Sequence, residues 1–252
     1  MKDDPRRDHY SYSVYADRDT ARTFDDRRFG GIIGEMVAGT QARVLTNMVG
    51  RIKDREILDV ATGTGRAALL FARGGARVTG VDASEEMLAI ARQRAAAQVV
   101  DVKFRVGDAH ALDFPERSFD AVVCLRLLMH APKWRRCVAE LCRVADRLVV
   151  VDYPSATSVA LVESLARRVV HAAGGRTEPY RVFTHASMAD AFDRCGFRIR
   201  SVHRQFVLPI TLHKAIGSRR FTVWSEDILD RIGLLKPFGS PVTLVAERCA
   251  PS

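Results

Sequence analysis

The sequence has little with which to span a bilayer, staple itself with disulfides or hold zinc. No uninterrupted apolar run approaches the roughly 20 residues that a membrane helix needs. Met1 to Asp8 is dense in charge and lacks the apolar middle of a secretory signal, so a cytoplasmic location is the expectation. The cysteines are Cys124, Cys137, Cys142, Cys195 and Cys249, an odd number with no CxxC pair, and neither a disulfide framework nor a metal site is expected. Lysine is scarce too, supplying only six of the 39 basic residues. The arginines stand in scattered pairs such as Arg135–Arg136 and Arg219–Arg220, not in one stripe with interleaved aromatics. The net charge of +9 therefore reads as a solvated, arginine-biased surface, and no nucleic-acid partner is expected.

What is present suits a globular enzyme-sized domain. Apolar residues make up 47% and charged residues 27% of the 252, a balance that buries a core and keeps a wet surface. Two helical stretches are expected near 20–38 and 41–51, punctuated by Gly30, Gly31, Gly34 and Gly39, behind a polar tail that carries Tyr10, Tyr12 and Tyr15. From residue 56 short apolar runs alternate with helices. Strands are expected at 57–60, 77–82, 102–107, 119–125 and 147–152, with helices between them. Ser84 is a natural N-cap, followed by Glu85 and Glu86 in the first helical turn. Trp134, Cys137, Val138, Leu141 and Cys142 recur at helical spacing, so two of the cysteines read as core packing. Continuous apolar strands alternating with helices indicate a parallel sheet covered on both faces.

The last hundred residues differ. Helices near 156–173 and 186–195 precede a stretch from Phe197 that alternates with period two, then switches parity near Ser201, where a bulge is expected. With a final strand from Val242 to Arg248 it forms an antiparallel pair at one edge of the sheet. The segment from Val207 to Phe221 mixes apolar residues with a basic end. It reads as a packing or homodimer-contact helix, with a lid over a lipid-like acceptor or a peripheral membrane contact as the alternatives.

The strongest local signal is Leu58 to Arg66, Leu-Asp-Val-Ala-Thr-Gly-Thr-Gly-Arg, where the first strand turns into a helix. Glycines there let the backbone approach a ligand, and the helix start offers free N–H groups. Gly63-x-Gly65-x-x-Ala68 also satisfies the loose dinucleotide fingerprint, which keeps an NAD-dependent oxidoreductase open as an alternative. Asp59 weighs against it. A carboxylate inside a strand is costly unless something binds it, either a ligand's ammonium group or loop N–H groups in need of an acceptor. Asp82 ends the second strand, where a carboxylate can accept ribose hydroxyls, and Asp108-Ala109 ends the third.

These runs, with Val78–Met87, Gly107–Phe114 and Ser118–Val123, resemble class I S-adenosylmethionine (SAM)-dependent methyltransferases, in the branch of the quinone-biosynthesis and malonyl-carrier methyltransferases. The resemblance covers about residues 55–152. It implies a doubly wound, Rossmann-like, mostly parallel seven-stranded sheet with an antiparallel C-terminal strand. An N-terminal helical lid or extension over 1–50, and acceptor-side helices with antiparallel edge strands over 153–252, would flank the cofactor-binding core over 55–152 in one domain. It implies SAM as cofactor, with Asp59, Ala61, Thr62, Gly63 and Gly65 at its methionine end and Asp82 on its ribose. Ala83 and Met87 would pack on the adenine, Asp108 and Ala109 would read its edge, and Leu125 and Arg126 would close over the methionine. Ala61 stands where the family usually has its first glycine, as it does in related quinone-pathway enzymes.

The reaction so implied moves a methyl group to an oxygen or carbon of a small quinone-like, lipid-like or secondary-metabolite acceptor. A SAM-binding regulatory protein without turnover is the other alternative. His130, just past the fourth strand, is the candidate general base, its bland reading being a histidine that caps the loop before the Trp134 helix. His110, His185 and His213 rank below it. Asp152-Tyr153 and Tyr180-Arg181 are candidates for the acceptor pocket.

Overall fold

Strands β1 (Glu56–Val60), β2 (Arg77–Asp82), β4 (Phe119–Cys124) and β5 (Ala145–Tyr153) bury both of their faces, which is why their sequences run almost continuously apolar. In the computed structural model, which describes residues 29–174 and 180–250, they join β3 (Lys103–Val106), β6 (Phe197–Phe206) and β7 (Ser240–Arg248) in one sheet. The strand order is β3-β2-β1-β4-β5-β7-β6. The pairings from β3 through β5 are parallel, and β7 runs antiparallel to both of its neighbours. The doubly wound, mostly parallel seven-stranded sheet with an antiparallel C-terminal strand is thus the observed one.

Nine helices are described: α1 (Gly31–Val49), α2 (Arg66–Arg73), α3 (Glu85–Ala97), α4 (Trp134–Val144), α5 (Val159–Ala172), α6 (His185–Asp193), α7 (Ile210–Ile216), α8 (Arg219–Arg231) and α9 (Leu235–Phe238). Alternation along the strands sends side chains to two cores. Leu58, Val60, Val122, Val149 and Val151 pack with α4 and α6, where Trp134, Cys137, Val138, Leu141 and Cys142 form the expected buried stripe. Ile57, Val123, Leu148 and Val150 face the opposite way, against Leu45 and Val49 of α1 and Phe71 of α2. All five cysteines are free thiols.

Several local expectations hold in detail. The Ser84 hydroxyl accepts the Met87 N–H at 3.1 Å and caps α3. The register of β6 against β7 shifts between Ile199 and Ser201, where the sequence changes parity.

Two differ. The helices expected near 20–38 and 41–51 are, over the described residues, one helix that runs through Gly39. A Cβ at Gly39 would meet nothing within 4 Å, so this glycine neither bends the chain nor packs closely. The start of the first expected helix, and Tyr10, Tyr12 and Tyr15, lie outside the described residues. The segment from Val207 to Phe221 is not one helix either. Gly217 takes the left-handed conformation at φ 66°, ending α7, and Ser218 caps α8.

Candidate active site

The C-terminal ends of β1, β2 and β4 open on one cavity of about 500 Å³, with Gln41, Ala42 and Leu45 of α1 on its far wall. Its size and mixed lining are those of a small-molecule site.

Asp59 lies at its base. Strand alternation puts it on the side of β1 that faces α2, and it is 2% exposed. Its Oδ2 accepts the Thr62 hydroxyl at 2.6 Å and the Ala68 N–H at 3.0 Å. Gly65, the N-cap of α2, has no side chain to offer the helix start. Asp59 supplies that acceptor from the neighbouring strand. Of the two uses the sequence left open, the structure shows a version of the second, with Asp59 serving the turn's Thr62 hydroxyl and the helix's Ala68 N–H. Burial pushes this carboxyl up to about 7 against the pull of those two hydrogen bonds, and the Asp82 charge adds to the rise.

The turn between Asp59 and α2 has three left-handed residues, Ala61 at φ 57°, Gly63 at φ 55° and Gly65 at φ 84°. For Ala61 that conformation costs about 1–2 kcal/mol, which gives the departure from glycine a physical meaning. The two glycines have different reasons. A Cβ at Gly63 would meet nothing within 4 Å, and the residue lines the cavity. A Cβ at Gly65 would stand 3.0 Å from that of Ala91 on α3, and Gly65 does not line the cavity. Its position is explained by the packing of α2 on α3.

Asp82 closes the other side of the turn. Its Oδ2 accepts the Gly63 N–H at 2.8 Å and its Oδ1 the Ser84 N–H at 2.9 Å. Burial raises its pKa, opposed by those N–H groups. Ala61, Thr62, Ala83 and Met87 line the same cavity. Asp108 is placed otherwise. Its Oδ1 accepts the His110 N–H at 2.9 Å and meets His110 Nδ1 at 2.9 Å. Ala109 and His110 line the cavity and Asp108 does not, so two acids, not three, face the space.

Past β4, Leu125, Arg126 and His130 form another wall. Arg126 is left-handed at φ 62°, and its N–H donates to the Asp152 carboxylate, which turns the chain back over the cavity. Asp152 therefore positions Arg126. Tyr153 points to the other face of the sheet, 1% exposed and edge-on to Phe183, and burial pushes its hydroxyl up to about 12. Arg181 braces the wall from behind, its N–H donating to the Met129 carbonyl at 2.9 Å and its guanidinium to that of Ala131 at 3.2 Å. The Tyr180 hydroxyl donates to the Ala160 carbonyl of α5. None of Asp152, Tyr153, Tyr180 and Arg181 lines the cavity.

His185 opens α6, away from the cavity. His213 is fully buried between Glu226 (Nε2 to Oε1, 2.8 Å) and Thr222 (Nδ1 to Oγ1, 3.1 Å), so it is a structural residue. The wall supplied by α1, and Arg66 stacked 3.3 Å over the Phe29 ring beside it, were not among the sequence candidates. Helix–cavity contacts from so far upstream leave no local motif.

A family model described as a methyltransferase domain matches residues 57–147. A demethylmenaquinone methyltransferase of Thermus thermophilus is 42% identical over 105 residues, 40% of this chain and 48% of the relative. One from Tropheryma whipplei is 29% identical over 192 residues, 69% of this chain and 79% of the relative. The chain spans about half the length of the first relatives it matches. A crystal structure of magnesium protoporphyrin IX methyltransferase from Synechocystis with bound SAH superposes with a TM-score of 0.63 at 20% identity, over 92% of this chain and 98% of that one. At that identity the likeness is one of fold.

Proposed function

We propose that the protein is a SAM-dependent methyltransferase, as the match of residues 57–147 to a methyltransferase-domain model supports, and that it binds SAM in the 500 Å³ cavity and methylates an oxygen or carbon of a small quinone-like acceptor. The observation that carries this is the bond from the Gly63 N–H to the Asp82 carboxylate, which draws the ends of β1 and β2 together around the cavity. The residues present fit the cofactor. A cavity of this volume, open above Gly63, with a carboxylate at the end of β2 and the apolar Ala83 and Met87 beside it, suits a nucleoside with a charged tail. The demethylmenaquinone methyltransferase relatives support a quinone-like acceptor.

Bound SAM supplies a methyl carbon made electrophilic by its positively charged sulfur. The protein's part is alignment and exclusion of water. Asp82 keeps lone pairs beyond those given to Gly63 and Ser84, and these receive ribose hydroxyls. Ala83, Met87 and Ala109 flank the base, with the Asp108–His110 pair behind. Thr62 and Gly63 hold the methionine end, and Leu125 and Arg126 cover it. His130, on the wall past β4, receives the proton that an acceptor hydroxyl or acidic carbon gives up.

Calorimetry with SAH, the demethylated product, should give saturable heat, and methyl-labelled SAM should pass label to a quinone or lipid extract. Absence of binding overturns the reading. Binding with no transfer to any extract would favour the regulatory alternative. The NAD-dependent alternative has no support: the matching family model is that of a methyltransferase domain, and the Thermus thermophilus and Tropheryma whipplei relatives are methyltransferases.

A further inference from the structure

Helix α5 carries its polarity reversed. Its inward side is polar: Ser164, its buried residue, donates to the Tyr180 carbonyl at 2.6 Å, and Arg167 pairs with Glu163 at 2.9 Å while lying over the Tyr180 ring. At 100° per residue the opposite side is occupied by Val162, Leu165 and Val169, with Ala166 and Ala172 between them. Val162 is 67% exposed, Leu165 50% and Val169 70%. One exposed valine is ordinary, whereas a continuous stripe along a 14-residue helix marks a contact surface.

Charge indicates what covers it. The helix has one acid, Glu163, and that carboxylate is paired with Arg167. Arg168 flanks the outer stripe. Burial, and then the charges of Arg168 and Arg135, hold Arg181 below its usual pKa. Arg135 also pairs with Asp190, at 3.4 Å. A second copy of α5 would bring apolar stripe to stripe but offer Arg168 no carboxylate. Its roughly 21 Å length also gives less than the ~1,000 Å² that a stable dimer buries. Another exposed apolar group, Val223, Trp224 and Ile228 on α8, is interrupted by Asp227 and Asp230.

We propose that the outer face of α5 lies on an anionic lipid bilayer, with Val162, Leu165 and Val169 in the acyl boundary and Arg168 and Arg181 at lipid phosphates. Interfacial helices combine these features, apolar burial and basic flanks. Arg181 also donates to the Met129 and Ala131 carbonyls on either side of His130, which ties it to the cavity wall.

The test is flotation of the full chain with vesicles of phosphatidylcholine containing about one quarter phosphatidylglycerol, against phosphatidylcholine alone. The protein should float with the anionic vesicles, be released by salt, and remain below the neutral ones. Val162→Glu with Val169→Glu should cut flotation about tenfold, and Arg168→Glu should weaken it, both with unchanged melting temperature. No flotation of the wild type, or equal flotation of the variants, overturns the proposal. So does a dimer in light scattering that the double variant dissolves without any change in vesicle binding, the result expected of a second copy. Flotation involves no methyl transfer, so its failure and the failure of the catalytic reading are separate results.

Discussion

The carboxylate of Asp59 accepts the N–H of Ala68 at 3.0 Å and so caps, from inside the sheet, a helix whose own N-cap is a glycine. A strand-borne acid completes the helix that carries the binding turn. The proposed cofactor site and fold stability are therefore coupled at one residue.

That coupling gives a pH dependence. The folded pKa of Asp59 is raised from 3.8 to about 7, so the folded protein holds this proton more tightly than the unfolded chain. The contribution to stability is full below the unfolded value and is lost as pH rises through the folded one. At 1.36 kcal/mol per unit, about 2 kcal/mol should disappear between about pH 5.5 and pH 8. Urea unfolding should show that slope in the wild type and a shallower one in Asp59→Asn; equal slopes would refute the assignment.

Asp82→Ala removes the acceptor for Gly63 and Ser84 at once. SAH affinity should fall at least about tenfold by calorimetry, with a stability loss of about 1–3 kcal/mol from the stranded N–H groups. Unchanged affinity would remove Asp82 from the site.

The three left-handed residues of the turn should respond differently. Ala61→Gly relieves strain and should stabilise by about 1 kcal/mol, raising Tm by about 2–4 °C. Gly65→Ala should cost about 2 kcal/mol or more, from left-handed strain plus contact with Ala91, while leaving SAH affinity near normal in the folded fraction. Gly63→Ala should cost less stability and more affinity, because its Cβ enters the cavity. Scanning calorimetry and titration on the three variants decide between packing and ligand roles.

His130→Gln should bind SAH as the wild type does and lose about 10²-fold in turnover with the acceptor found by label transfer, with a flattened pH profile. Turnover within twofold of wild type would reduce His130 to a loop residue.

Glu226 accepts the Val207 and Leu208 N–H groups at 2.7 and 3.0 Å and meets buried His213. Glu226→Ala strands all three and should cost about 3–5 kcal/mol, with SAH affinity unchanged. Thermal unfolding and titration read the two effects separately.

Much of this protein was legible in the chain, because strand and helix periods, the Ser84 cap, the parity change at Ser201 and the glycine turn are short-range features. Each depends on residues a few positions apart, and the sequence records those spacings directly. The mostly parallel seven-stranded sheet with its antiparallel C-terminal strand followed from the resemblance and from the continuous apolar strands that a doubly covered sheet needs.

Tertiary structure decided which neighbour each polar group found. Asp82 and Asp108 look alike in sequence, each an acid ending a strand, yet one holds the Gly63 N–H and the other turns to His110. Gly63 and Gly65 are two residues apart, yet only the second lies against Ala91. The wall from α1 and the reversed face of α5 are equally invisible to local spacing, since both depend on what lies across space. Composition and period fix what a segment forms, and the identity of its long-range partners fixes what it does.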